Sequence, residues 1–183
     1  MKIIGGKLKG KRIHAPRGLL SRPPLAIIRE SVFNVLGDAI RGARVLDLFA
    51  GSGSLGIESL SRGASYAHFV DNTRRCFEMI RRNLEALELQ SLSDVVRQDA
   101  VKFILDWRGE PFDIIFIDPP FLSGKAEDAL RALASSSVSK KTSIIIARIH
   151  KRERIDPPAG LSLLKQRRFG DSLVLFLKKE QSL

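Results

Sequence analysis

The sequence has 183 residues and a single cysteine, Cys76. One thiol excludes an internal disulfide and a cysteine-based metal cluster, and it fits a reducing compartment. The three histidines, His14, His68 and His150, are too scattered to outline a metal site. No apolar run approaches the roughly 18–20 residues a membrane span needs, and the opening stretch MKIIGGKLKGKRIH lacks the apolar core of a secretion signal. Together these absences lead us to expect a cytoplasmic protein that uses no metal and no membrane. A further absence is local. Residues 1–29 hold Lys2, Lys7, Lys9, Lys11, Arg12, Arg17, Arg22 and Arg29 and not one Asp or Glu.

Positive charge is abundant throughout: 31 Lys and Arg against 20 Asp and Glu give a formal net charge of +11. Such a balance points to a polyanionic partner or an anionic surface. A solvated charged face normally mixes signs, so the acid-free start reads as an electrostatic footprint for phosphates. In KIIGGKLKGKRIHAP, short apolar runs alternate with Gly5-Gly6 and Gly10, the pattern of a small hairpin rather than a disordered tail. The length suits one principal core. We therefore expect a basic extension over residues 1–40 and a main domain over 41–183.

Beyond the arm, Ile28, Val32, Val35, Leu36 and Ile40 recur at helical spacing and predict a helix near 25–37. Strands are then expected at 44–49, 67–71, 94–100, 112–118 and 143–149. The helices between them are expected to open near Ser54 and to occupy 73–87, 101–107 and 126–136. Strands alternating with helices mean a doubly wound, Rossmann-like α/β fold with a mostly parallel sheet. The last two strands, 161–168 and 172–179, are joined by Phe-Gly-Asp and should form an antiparallel hairpin, for seven strands in all.

Two motifs carry chemistry. Gly51-Ser-Gly-Ser-Leu-Gly56 after the first strand matches the dinucleotide fingerprint, with Asp71 20 residues beyond Gly51. A nicotinamide-dependent oxidoreductase is therefore a serious reading. Against it, Asp47 lies four residues before the loop, where a pyrophosphate gains nothing from negative charge. A cationic, phosphate-free cofactor such as S-adenosylmethionine gains from it. In that reading Gly51 and Gly53 let the backbone approach the cofactor, Asp47 helps hold its amino-acid end, and Asp71 accepts from the ribose hydroxyls. Asp99 accepts from the adenine amine, or caps the following helix instead. The second motif is Asp118-Pro119-Pro120-Phe121, where a run of apolar residues ends. Neither proline can donate to a ladder, and each disfavours a helical residue before it, so the chain must leave the sheet at Asp118.

DLFAGSGSLGIESLSRGA with FVD, QDA and DPPF resembles a class I S-adenosylmethionine-dependent methyltransferase. More narrowly, KIIGGKLKGKRI, RP, RESVFNVL and DPPF in that order are similar to the RsmD family, bacterial enzymes that methylate the exocyclic N2 of a guanine in 16S ribosomal RNA. The resemblance implies S-adenosylmethionine as cofactor, S-adenosylhomocysteine as product, and no metal. It places the cofactor against Asp47, Phe49, Ala50, Gly51, Gly53, Asp71, Asn72, Asp99 and Ala100. It also implies a monomer acting on ribosomal RNA, free or in an assembling small subunit, held by Lys7, Lys9, Lys11, Arg12, Arg22 and Arg29. In the tetrapeptide, the Asp118 carboxylate and the Pro119 carbonyl would draw the amine out of conjugation while Pro120 stiffens the loop and Phe121 stacks on the base. Two features depart from the family pattern: Arg22-Pro23 is followed by Pro24, Leu25 and Ala26, and the fifth strand ends in Arg148 where an acid is expected. An amine of another RNA or DNA base, or a catalytically silent nucleic-acid-binding protein, remain the alternatives.

Overall fold

In the computed structural model, which describes residues 1–15 and 23–180, five strands lie parallel in the sheet: β1 (Arg44–Leu48), β2 (Tyr66–Asp71), β3 (Ser93–Arg97), β4 (Phe112–Ile117) and β5 (Ser139–His150). β6 (Leu161–Phe169) and β7 (Ser172–Lys179) complete the sheet as an antiparallel pair. The order across the sheet is β3-β2-β1-β4-β5-β7-β6, so β7 inserts antiparallel between β5 and the edge strand β6. The helices are α1 (Pro23–Leu36), α2 (Ser54–Ser61), α3 (Arg74–Ala86), α4 (Ala100–Asp106) and α5 (Lys125–Ser135). This is the Rossmann-like doubly wound architecture expected, with element bounds within a few residues of the sequence reading. β5 starts four residues earlier than anticipated, because Ser139 still pairs with Phe112 across a register shift.

Strands buried on both faces explain the unbroken apolar runs. In β4, Ile114 and Phe116 face one layer and Ile115 and Ile117 the other, as the two-residue period of a strand requires. The first layer is covered by α1, α2 and α3 with Ile28, Val32, Phe33, Leu36, Ile57, Ile80 and Leu84. The second is covered by α4 and α5 with Phe103, Ile104, Ala129, Leu130 and Leu133. Ile3 and Ile13 of the arm, 3% and 4% exposed, join the first layer. Ile3 and Ile13 of the arm thus share one core layer with Ile28, Val32, Phe33 and Leu36 of α1 and with the strands of the sheet.

The arm is a small hairpin closed by a bridge between Lys2 and Arg12 and by Ile3 N–H to Lys11 C=O. It docks through its backbone. Ile4 N–H donates to the Glu58 carboxylate at 2.9 Å, Leu8 N–H to Ser61 Oγ at 3.0 Å, and His14 N–H to Asn83 Oδ1 at 2.7 Å. Gly6 adopts φ 74°, and a Cβ there would collide with the Ser61 carbonyl, so both its conformation and its contact require glycine.

Position in the sheet decides where a ligand can sit. From β1 the chain winds outward to β2 and β3, then crosses back through α4 to β4 on the other side of β1. Helices leaving β1 and β4 therefore diverge, and a crevice opens beyond the carboxyl ends of those two strands. The glycine loop follows β1 and the Asp-Pro-Pro-Phe loop follows β4, so both motifs meet at that crevice.

Candidate active site

A cleft of about 410 Å³ occupies this switch point. Phe49, Ala50, Gly51 and Ser52 line it from the β1 side, Asp71, Asn72 and Thr73 from the end of β2, and Asp118, Pro119 and Pro120 from the end of β4. Met1 from the arm and Ile28, Arg29 and Val32 from α1 close the remaining wall. A wider, more open depression of about 680 Å³ lies between α3 and β3, lined by Arg81, Arg82 and Asp94 among others, and holds none of the candidate residues.

The glycine loop is built by left-handed backbone. Gly51 and Gly53 take φ 58° and 76°, and Phe49 takes φ 61° despite its side chain. Gly56 answers a different need: a Cβ there would overlap the Phe69 ring, so α2 can lie this close to β2 only without one. Its N–H donates to Asp47 Oδ2 at 3.0 Å. Asp47 is 1% exposed, and burial pushes its carboxyl well above the usual range, with the neighbouring Asp118 and Asp71 charges adding to the rise. Asp47 thus ties β1 to α2 from beneath the cleft rather than lining it.

Asp71 ends β2 at the edge of the cleft. Its Oδ2 accepts from Gly51 N–H at 3.0 Å and its Oδ1 from Thr73 N–H and Oγ1–H, each at 2.9 Å, while the carboxylate still borders the cleft. Thr73 in turn caps α3, accepting from Cys76 N–H. Cys76 also borders the cleft, and burial raises its thiol pKa, which keeps it protonated and unreactive. Asp99 lies between β3 and α4. Exposed and off the cleft, it caps α4 by accepting from Val101 and Lys102 N–H. Ala100 and Gly53 are likewise buried away from the cleft surface.

At the end of β4, Asp118 Oδ1 accepts from Arg148 Nε at 2.6 Å. Apolar surroundings push the Asp118 carboxyl up, and the guanidinium opposes them. The Pro119 carbonyl accepts no hydrogen bond among the described residues, while the Pro120 carbonyl accepts from Ser123 Oγ at 2.6 Å. Phe121 stands beside the cleft and does not line it. The Arg148 guanidinium lies 4.6 Å from its ring centroid, and His150 meets it edge-on at 5.4 Å.

Lys7, Lys9, Lys11 and Arg12 are exposed on the docked arm. Arg29 is not part of that surface: it is 6% exposed, donates to the Lys2 carbonyl at 2.6 Å and lies 3.8 Å from Glu58, itself 1% exposed. A carboxylate buried in α2 needs a cation, and Arg29 and Arg62 supply it. Arg22 lies outside the described residues. Pro24, Leu25 and Ala26 fall in the first turns of α1, where proline needs no backbone donor. Reading the sequence missed the apolar wall of Met1, Ile28 and Val32, since no local pattern signals which helix folds over a glycine loop.

A mostly parallel sheet in this order, with a glycine loop and an Asp-Pro-Pro-Phe loop facing one another across the switch point, defines a methyltransferase-type Rossmann-like fold. The chain belongs to the RsmD family: the family model described as conserved hypothetical protein 95 matches residues 1–178. It is 33% identical over 165 residues to the ribosomal RNA small subunit methyltransferase D of Buchnera aphidicola, covering 90% of this chain and 86% of that one. The solved structure of yhhF from Escherichia coli superposes with a TM-score of 0.88 at 32% identity, covering 98% of both chains. SMU.776, crystallised in complex with SAH, shares the fold with a TM-score of 0.71 at 17% identity, covering 86% of this chain and 50% of that one.

Proposed function

We propose that this protein transfers a methyl group from S-adenosylmethionine to the exocyclic N2 amine of a guanine in small-subunit ribosomal RNA, in the cytoplasm. The observation that carries this reading is the convergence of Asp118, Pro119 and Asp71 on one cleft beside the glycine loop. The electrostatics of the loop fit this cofactor. Asp71 and Asp118 lie close enough to Asp47 to raise its cost of ionisation further, and three carboxylates around one loop favour a sulfonium and an ammonium and oppose a pyrophosphate. When bound, the cofactor supplies a methyl carbon activated by its sulfonium.

The chain supplies position and polarity. A guanine amine is a weak nucleophile because its lone pair is delocalised into the ring. Accepting hydrogen bonds at Asp118 and at the Pro119 carbonyl favours a tetrahedral nitrogen whose lone pair points at the methyl carbon. The new N–C bond forms as the C–S bond breaks, and the proton left on nitrogen passes to solvent. Catalysis is then chiefly orientation plus preorganised acceptors. The target base has to leave its stack to reach this depth, and the Phe121 ring beside Asp118 can compensate part of that cost. Lys7, Lys9, Lys11 and Arg12, carried on a rigid hairpin, form an RNA-phosphate surface.

The test incubates the purified protein with S-adenosylmethionine and either naked 16S ribosomal RNA or unmethylated small-subunit particles, followed by nucleoside mass spectrometry. N2-methylguanosine at one site is the expected product. Methylated adenosine or cytidine, or no methylated nucleoside from either substrate, would overturn the assignment.

A further inference from the structure

Arg148 is the residue that the family pattern did not anticipate, and it is the side chain that touches both working parts of the Asp-Pro-Pro-Phe loop. It stands near the end of β5, next to β4 in the sheet, paired with Val174 of β7 on its other side. Its Nε donates to Asp118 Oδ1, its Nη1 reaches Ser172 Oγ at 3.4 Å, and its guanidinium carbon lies over the Phe121 ring, 4.6 Å from the centroid. Asp118 Oδ2 accepts no hydrogen bond among the described residues. One planar group therefore fixes one oxygen of the carboxylate, leaves the other free, and covers one face of the aromatic ring.

Resting on the function proposed above, we propose that Arg148 is a positioning residue for methyl transfer: it locks the Asp118 carboxylate so that Oδ2 points to the incoming amine, and it backs Phe121 so that the base stacks on the opposite face. A carboxylate held at a single oxygen cannot rotate freely, and a ring held between a cation and an entering base cannot turn away. The same contact favours the charged form of Asp118. Several charges surround it: Arg148 from β5, Asp47 beneath it on β1, Asp71 from β2, Arg29 from α1, Lys125 from α5, and His150 beyond Phe121. Burial raises the carboxyl, and Arg148 is the cation in direct contact that counters it.

The sign of the pH effect follows. Asp118 must be ionised to accept from the amine, so activity falls as pH drops through its folded pKa. Removing Arg148 raises that pKa, and the acid limb of the rate profile moves to higher pH. The experiment compares the parent with Arg148→Gln and Arg148→Lys by single-turnover methylation as a function of pH, alongside carbon-13 NMR titration of the Asp118 carboxyl and calorimetric titration with S-adenosylmethionine.

Arg148→Gln should lose about tenfold in rate at pH 7, shift the acid limb and the Asp118 titration upward together, and leave cofactor affinity nearly unchanged. Arg148→Lys should restore the titration, because the charge returns, and regain only part of the rate, because the planar fork does not. If Arg148→Gln fails to fold, Arg148→Lys carries the test through its parent-like titration and lowered rate. An Asp118 titration that does not respond to Arg148→Gln, or full activity in Arg148→Gln or Arg148→Lys, would overturn the role. An inactive parent whose Asp118 titration still depends on Arg148 would instead count against the assigned reaction and leave the charge coupling standing.

Discussion

The basic arm and the Asp-Pro-Pro-Phe loop are held in opposite ways. The arm is anchored by its backbone: N–H groups of Ile4, Leu8 and His14 reach Glu58, Ser61 and Asn83, while Lys7, Lys9, Lys11 and Arg12 project into solvent. The loop is anchored by side chains, with Asp118 and Phe121 gripped by Arg148, while the Pro119 carbonyl is left without a partner. The arm spends on its fixation backbone groups that its exposed cations do not need, whereas the loop is held through one oxygen of Asp118 and one face of Phe121, leaving Asp118 Oδ2 and the Pro119 carbonyl without partners among the described residues. A surface for phosphates needs free cations on a steady frame, and a site that polarises an amine needs free acceptors at a fixed place.

Substitutions at the two regions should therefore fail differently. Asp118→Ala should lower the single-turnover methylation rate on the order of 10²–10³-fold, with the circular dichroism spectrum and cofactor affinity nearly unchanged. Asp118→Asn keeps an acceptor oxygen and should retain more activity. Comparable turnover by Asp118→Ala and the parent would end the claim that the loop does chemistry.

Neutralising Lys7, Lys9, Lys11 and Arg12 together should weaken RNA binding by about 10²-fold at physiological salt, and should reduce the slope of log affinity against log salt by about 3. Filter binding over a salt series reads both values, and an unchanged slope would show that the arm does not meet phosphates. The catalytic rate with RNA bound at saturation should stay close to the parent's.

Gly6→Val attacks the frame instead of the charges. It forces a β-branched residue into positive φ against the Ser61 carbonyl and should cost about 2–3 kcal/mol of stability in urea unfolding. RNA binding should weaken with the lysines intact. A parent-like melting curve would mean that the arm adjusts freely and is not a rigid frame.

A control lies outside both regions. His68 is buried among Phe103, Trp107 and Phe112, and this burial lowers its pKa to about 4. The unfolded chain binds a proton near pH 6.5 that the folded chain refuses, so His68 removes stability as pH falls from about 6.5 towards 4, by at most on the order of 3 kcal/mol. His68→Phe should flatten this part of the curve of unfolding free energy against pH without changing methylation at pH 7. A curve as steep as the parent's would relocate the sensitivity to the carboxylates.

The fold was legible because its signals are local. Unbroken apolar runs such as Ile114–Ile117 mark doubly covered strands, helical spacing marks α1 and α3, and the glycine loop and the two prolines mark where β1 and β4 end. The two motifs were legible for the same reason, since each occupies a few consecutive residues. Asp99 shows where local reading stops: a carboxylate before a helix suits an adenine contact and a helix cap equally, and only the fold shows that its Oδ1 accepts from the N–H groups of Val101 and Lys102. Arg29 shows the same limit. In sequence it belongs to a run of cations, yet α1 turns it inward to a buried Glu58 that lies 29 residues away.

By itself, then, the sequence determined the alternation of strands and helices, the glycine loop, the stop at Asp118 and the basic arm, because each depends on backbone preference and charge within a short stretch. Tertiary structure alone decided that Met1, Ile28 and Val32 wall the cleft, that Asp47 lies beneath it, and that Arg148 grips Asp118. Those outcomes depend on which strands become neighbours. Asp118 and Arg148 are 30 residues apart in the chain and 2.6 Å apart in the fold only because β5 packs beside β4 in parallel.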